Sequence, residues 1–198
     1  MLALDKFQPI NYSIFQWTNT PDIKIGFTLD GLSGIMLLLV TGLSFIIQLF
    51  STSYMETDEK HNNYFVYFNF FVFSMLMLVM SSNFLVMFIG WELVGLSSYL
   101  LISFWSKKTA AAKAGNKAFI LNRVGDFGFL IGLMLILNTF NTFDFYTILK
   151  NASDVPENTI TLITLFLLLG AFGKSAQFPL FSWLPDAMEG PTPASALI

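Results

Sequence analysis

The sequence predicts an all-α membrane protein of about five spanning helices, the last of them broken, arranged as a partial transmembrane bundle. Three observations predict it. The 198-residue chain is 55% hydrophobic and only 12% charged, about half the charged share of an ordinary soluble domain. Charge is also missing over long stretches: between Tyr64 and Ser106 the only charged residue is Glu92, and between Thr159 and Pro185 it is Lys174. Finally, apolar segments of about 20 residues, the length that crosses ~30 Å of hydrocarbon, recur too often to share one small soluble core.

Residues 1–28 are mixed in character and include Asp5, Lys6, Asp22 and Lys24. They lack the basic-then-apolar order of a signal peptide and read as a non-membrane segment. The transmembrane domain occupies 29–198. Its first span covers about 29–50. The second, about 64–80, and the third, about 83–105, are separated by little more than Ser81 and Ser82. As one helix, Tyr64–Trp105 would measure about 63 Å, so it must fold back into a hairpin. The fourth span covers about 116–137. Residues 141–158, with Asp144, Lys150, Asp154, Pro156 and Glu157, read as a surface loop with a short amphipathic piece. The fifth covers about 160–183. Within it Pro179 cannot donate to the carbonyl of Ser175 and clashes with it, so the helix kinks or breaks there. At membrane depth such a break is tolerated only where the freed backbone lines protein or water.

Basic residues in short loops set the orientation. Lys107, Lys108 and Lys113, with Lys117 just beyond, follow the third span. Placing them inside puts Lys60 inside and Lys6, Lys24 and Lys150 outside. The N-terminus then lies outside and the C-terminal Pro/Gly stretch inside.

Ionisable groups within spans cost about 2.5–3.5 kcal/mol on insertion scales, so each needs an account. Glu92 is too deep and too short to snorkel. It is either a protonated acid bonded to a neighbouring helix or a proton-exchanging carboxylate facing the bundle interior. Lys174 sits beside the helix break and reads as a hydrated ion site. Its alternative is a static ion pair. Arg123 and Asp126, three residues apart on one helix face, can pair locally or couple to adjacent helices. Gly125 and Gly128 allow close helix approach. Lys117 reads as snorkelling from its helix end.

Several function classes are excluded or unsupported. There are no cysteines, so this chain holds no disulfide, thiolate metal site or iron–sulfur cluster. A net charge of −3 without a basic block gives nucleic acid no footing. His61, in "ETDEKHNNY", lacks metal-ligand company and reads as solvated. Trp105 and Trp183 fit interfacial aromatic belts. No phosphate loop or nucleophile–base pair appears. The 23 phenylalanines are compatible with an A+T-rich organelle genome.

The stretches "FIGWELVGLSSYLLISFW", "KAFILNRVGDFGFLIG" and "GKSAQFPLFSWLPDAMEGPTPASALI" closely resemble chain 5 of respiratory complex I, NADH:ubiquinone oxidoreductase. That family also includes the large subunit of multisubunit sodium/proton antiporters. The resemblance runs from about Gly26 to Ile198. It implies that Glu92 and Lys174 form the Glu/Lys pair of a proton half-channel, modulated by Arg123 and Asp126. It implies a subunit of the proton-pumping membrane arm that binds no redox cofactor itself, while NADH, FMN, iron–sulfur clusters and ubiquinone belong to the rest of the complex. The expected membrane is the mitochondrial inner membrane, or alternatively a bacterial plasma membrane. Family members are far longer, so the chain is expected to be one piece of a split gene rather than an artificial truncation. Its expected partners are other membrane-arm subunits, separate chains supplying a missing N-terminal hairpin and further C-terminal helices, and membrane lipid. Two alternatives stand beside this: a sodium/proton antiporter subunit, and a structural assembly fragment whose ionisable groups no longer exchange protons.

Overall fold

The computed structural model describes residues 9–19 and 22–198. Asp5 and Lys6 lie outside the described residues. The remainder of the N-terminal segment contains a small sheet: β1 (Ile10–Asn19) pairs antiparallel with β2 (Asp22–Leu29). The alternation of Ile23, Ile25, Phe27 and Leu29 with polar or small residues is the pattern a half-buried strand requires. β2 is tied to the helices, because the Thr28 amide donates to the Met80 carbonyl at 2.8 Å.

Seven helices follow: α1 (Gly31–Tyr54), α2 (His61–Val79), α3 (Phe84–Ile102), α4 (Thr109–Phe140), α5 (Phe145–Asn151), α6 (Glu157–Lys174) and α7 (Thr192–Leu197). Five of these, α1 to α4 and α6, are long and apolar enough to cross a membrane. Asp30 starts α1 with a capping box: its carboxylate accepts from the Ser33 amide at 2.7 Å while Ser33 Oγ accepts from the Asp30 amide at 2.7 Å. These bonds satisfy donors that every helix start leaves open. They hold the Asp30 carboxyl below its ordinary pKa. The predicted α2–α3 hairpin turns at Met80–Asn83. Asn83 caps α3 by accepting from the Val86 amide at 2.9 Å, and it donates to the Lys24 carbonyl at 2.6 Å.

The spans alternate in direction, with β1–β2, the α2–α3 turn and the start of α5 at one end. The α1–α2 and α3–α4 loops share the other, where Trp105 Nε1 donates to Asp58 at 2.9 Å. Trp105 therefore sits at the level expected of a belt residue. Trp183 does not. It is 3% exposed and packs in a core with Ile102, Ala114, Ala118 and Ala187.

The bounds of two spans differ from the sequence expectation for physical reasons. α4 begins at Thr109 rather than 116, since Thr109–Ala114 is rich in alanine, the best helix former. At 32 residues it measures about 48 Å, so its first turns, with Lys113, extend past the hydrocarbon. α6 starts at Glu157 and stops at Lys174, not Trp183. Beyond it the chain takes a left-handed residue at Ala176 (φ 48°) and a cis bond before Pro179, and regains helical shape only in the 3-10 turn Asp186–Glu189. The last span is broken, as expected, and its second part is not α-helical. α4 and α6 cross closely at Gly125 and Gly173, where a Cβ at 125 would stand 2.9 Å from Gly173 Cα.

Candidate functional site

The four ionisable residues singled out above lie on α3, α4 and α6, and three of them are joined directly. Arg123 Nη1 forms an ion pair with Glu92 Oε2 between α4 and α3. It also lies 3.9 Å from Asp126 Oδ2, one turn along its own helix. Asp126 is anchored from α3, where Trp91 Nε1 donates to its Oδ1 at 2.7 Å. Consecutive residues of α3 thus hold both ends of the Arg123–Asp126 pair. Side-chain exposure falls from 41% at Arg123 through 22% at Glu92 to 4% at Asp126, so the network runs from an open flank into the interior.

Lys174 does not pair with Glu92. Glu92 pairs with Arg123 instead, and Lys174 meets α3 on the neighbouring face that carries Trp91 and Gly95. Its ammonium lies 5.9 Å from the Trp91 ring centroid and rests against Gly95, where a Cβ would collide with Nζ. Nζ is buried and makes no hydrogen bond among the described residues. Lys174 is the last residue of α6, so the negative end of the helix macrodipole favours its positive charge. Trp183 Nε1 donates at 3.0 Å to the Gly173 carbonyl, satisfying one acceptor that the helix end exposes.

Lys117 is not merely snorkelling. Its ammonium is 2.7 Å from Asp186 Oδ2, with the two side chains 42% and 46% exposed. Such a solvated pair contributes only about 0–1 kcal/mol, and its effect is to tie the 3-10 turn to α4. His61 begins α2 with its ring 4.8 Å from that of Phe65. No cluster of three potential metal ligands occurs among the described residues.

Trp91, Gly95 and Trp183 belong to the site, and sequence reasoning missed them in that role. Trp91 and Gly95 flank Glu92 at −1 and +3, and that spacing is the one signal available. The partner of Trp183 is set by tertiary packing alone.

Ionisable residues gathered from three spanning helices, one of which ends within the bundle, define a multi-pass membrane protein with an intramembrane charge network. The chain belongs to the NADH:quinone oxidoreductase/Mrp antiporter transmembrane family, whose profile matches residues 81–198. A second profile, the N-terminus of NADH-ubiquinone oxidoreductase (complex I) chain 5, matches residues 16–65. The chain is 49% identical over 192 residues to NADH-ubiquinone oxidoreductase chain 5 of Rhizopus stolonifer, covering 96% of this chain and 29% of that protein. It is 44% identical over 201 residues to NADH-quinone oxidoreductase subunit L of Mycobacterium tuberculosis, covering 100% of this chain and 32% of that protein. Among solved structures, a chain of the Mrp complex from Dietzia sp. superposes with a TM-score of 0.88 at 25% identity, covering 96% of this chain and 21% of that one. The chain thus spans less than a third of the length of these relatives.

Proposed function

We propose that this chain is part of the proton-translocating membrane arm of a respiratory NADH:quinone oxidoreductase. The observation that carries the reading is the Glu92–Arg123–Asp126 network, with an unpaired Lys174 ammonium held at a helix end beside it. Arg123 is shared between two carboxylates. Protonating Glu92 weakens its hold and shifts the guanidinium toward Asp126, 3.9 Å away. The potential at Lys174 changes as a result. Proton occupancy at one residue is thereby coupled to charge position at the next, which is what a stepwise translocation path requires. In this reading Glu92 and Lys174 exchange protons, while Arg123 and Asp126 set the balance between them.

The names of the relatives, complex I chain 5 and subunit L, support the assignment to that complex. This chain binds no redox cofactor in the proposal, and NADH oxidation and quinone reduction occur in its partners, the other subunits. The membrane is the mitochondrial inner membrane, with a bacterial plasma membrane as the alternative, since relatives come from both settings. A second reading, an Mrp-type antiporter subunit, is favoured by the TM-score of 0.88 to the Dietzia chain.

The test uses sealed membrane vesicles containing the assembled complex. Lys174→Met and Glu92→Gln each lower the protons translocated per NADH oxidised, at equal amounts of assembled complex on native gels. Unchanged pumping in either variant overturns the assignment of the site. If the chain instead migrates without NADH dehydrogenase activity and the vesicles exchange sodium for protons, the antiporter reading holds.

A further inference from the structure

Asn122 lies on α4, one turn before Asp126, and is 3% exposed. Its Oδ1 is buried with no hydrogen-bond partner among the described residues, and so is Lys174 Nζ. Two orphaned polar atoms in one small protein interior need a reason, since each costs about 1–3 kcal/mol when left unsatisfied. They share a location. Both residues line a single cavity of about 270 Å³, together with Ser98. One is a donor and the other an acceptor. Ser98 Oγ donates to the Gly95 carbonyl at 2.9 Å, which leaves its lone pairs open to accept.

We propose that Asn122 is a positioning residue that anchors water in this cavity, so that a hydrogen-bonded chain accepts from the Lys174 ammonium. The inference rests on the proton-translocating reading given above. A buried water is stable with two to four polar partners and about 30 Å³ of space, and the cavity provides the partners and room for several waters. Ser175, next to Lys174, adds a further polar side chain, and Phe71, Met75, Val94 and Leu197 form an apolar part of the wall. Water entering the cavity therefore orders at the Lys174–Asn122–Ser98 end. A proton leaving Lys174 departs on the side away from Glu92, and removing the Asn122 acceptor breaks the chain at its first link.

Two pairs of variants, each pair alike in shape, test this in sealed vesicles containing the assembled complex. Asn122→Ala and Asn122→Ser leave similar space but differ by one hydroxyl acceptor. Asn122→Val and Asn122→Thr do the same for a branched side chain and serve if the first pair fails to assemble. The expected result is a loss of about tenfold in coupled proton translocation for the apolar member, the equivalent of one hydrogen bond. The hydroxyl member stays within about threefold of the parent, with assembly equal between the two. Equal pumping within a pair overturns the role of Asn122. Lys174→Met, run in parallel, separates the causes. If it pumps normally, the reading of the site and this inference both fall. If it fails while the paired variants match, only the Asn122 inference falls.

Discussion

Replacing Gly95 with alanine isolates the position of one ammonium group from the stability of the fold. A Cβ at 95 would overlap Lys174 Nζ and meets no other atom besides Lys174 Cε at 3.8 Å. Ordinary contact needs about 3.5–4.0 Å, so the ammonium must retreat by about 1 Å. It stands at the end of a flexible side chain and can do so. Alanine meanwhile gains about 1 kcal/mol of helix propensity over glycine, which offsets the cost of moving the lysine tip. Net stability is therefore expected to stay close to that of the parent. Function is expected to change, because a misplacement of about 1 Å can slow a geometry-dependent step by ~100-fold. In vesicles matched for assembled complex, Gly95→Ala should translocate protons at least about tenfold more slowly. Gly34→Ala is the control, since a Cβ there meets nothing within 4 Å. Parental pumping in Gly95→Ala, with assembly intact, would refute the claim that the seat of Lys174 matters.

The α4–α6 crossing gives the opposite outcome. In Gly125→Ala the new Cβ meets backbone, 2.9 Å from Gly173 Cα, and overpacking of about 1–3 kcal/mol should lower the unfolding temperature in detergent. An unchanged temperature would show that the helices slide apart at no cost. In the loops, Trp105 Nε1 and the Lys60 amide donate to Asp58 and hold its carboxyl below the ordinary range. A carboxyl with a depressed folded-state pKa stabilises at pH above its unfolded value, about 4, and loses that contribution as pH falls through the lower folded value. The difference in unfolding temperature between the parent and Asp58→Asn, present at pH 7, should therefore shrink below pH ~4. A difference of equal size at pH 3 and pH 7 would count against the charge-dependent account.

Much of this architecture was legible because the membrane imposes simple rules. Length and apolarity alone locate five spans, and a 63 Å run can only be a hairpin. Lone charges in apolar segments marked Glu92, Arg123, Asp126 and Lys174 because such residues are expensive in that setting. Hydropathy does not record which helix faces which, so the partners were not legible. Arg123 sits three residues from Asp126 and was readable as its neighbour, yet its stronger contact is with Glu92 across the bundle. The sheet at Ile10–Leu29 does not follow from the lack of a span and a signal peptide in that segment. The alternation in β2 was there to be read. Trp183 shows the limit most plainly. An aromatic residue near a span end fits an interfacial belt by composition, and only the path of the chain after Lys174 turns it inward to Gly173.

That path also explains how a lysine can stay unpaired at this depth. Ending α6 at Lys174 exposes carbonyls that a continuing helix would have satisfied, and an ammonium beside them would ordinarily be captured. Here three of them are occupied by the chain itself. The Ser175 amide donates to Ala171, the Gln177 amide to Phe172 and the Ala176 amide to Gly173, at 2.9, 3.0 and 3.4 Å, and Trp183 Nε1 supplies a second donor to Gly173 at 3.0 Å. The break is closed by its own backbone and one indole. Lys174 is left as a cation attracted by the helix end and bonded to none of these carbonyls, so moving its ammonium breaks no backbone hydrogen bond. In the proposed role Lys174 trades one proton partner for another, and an unbroken α6 would not provide the arrangement which that role needs.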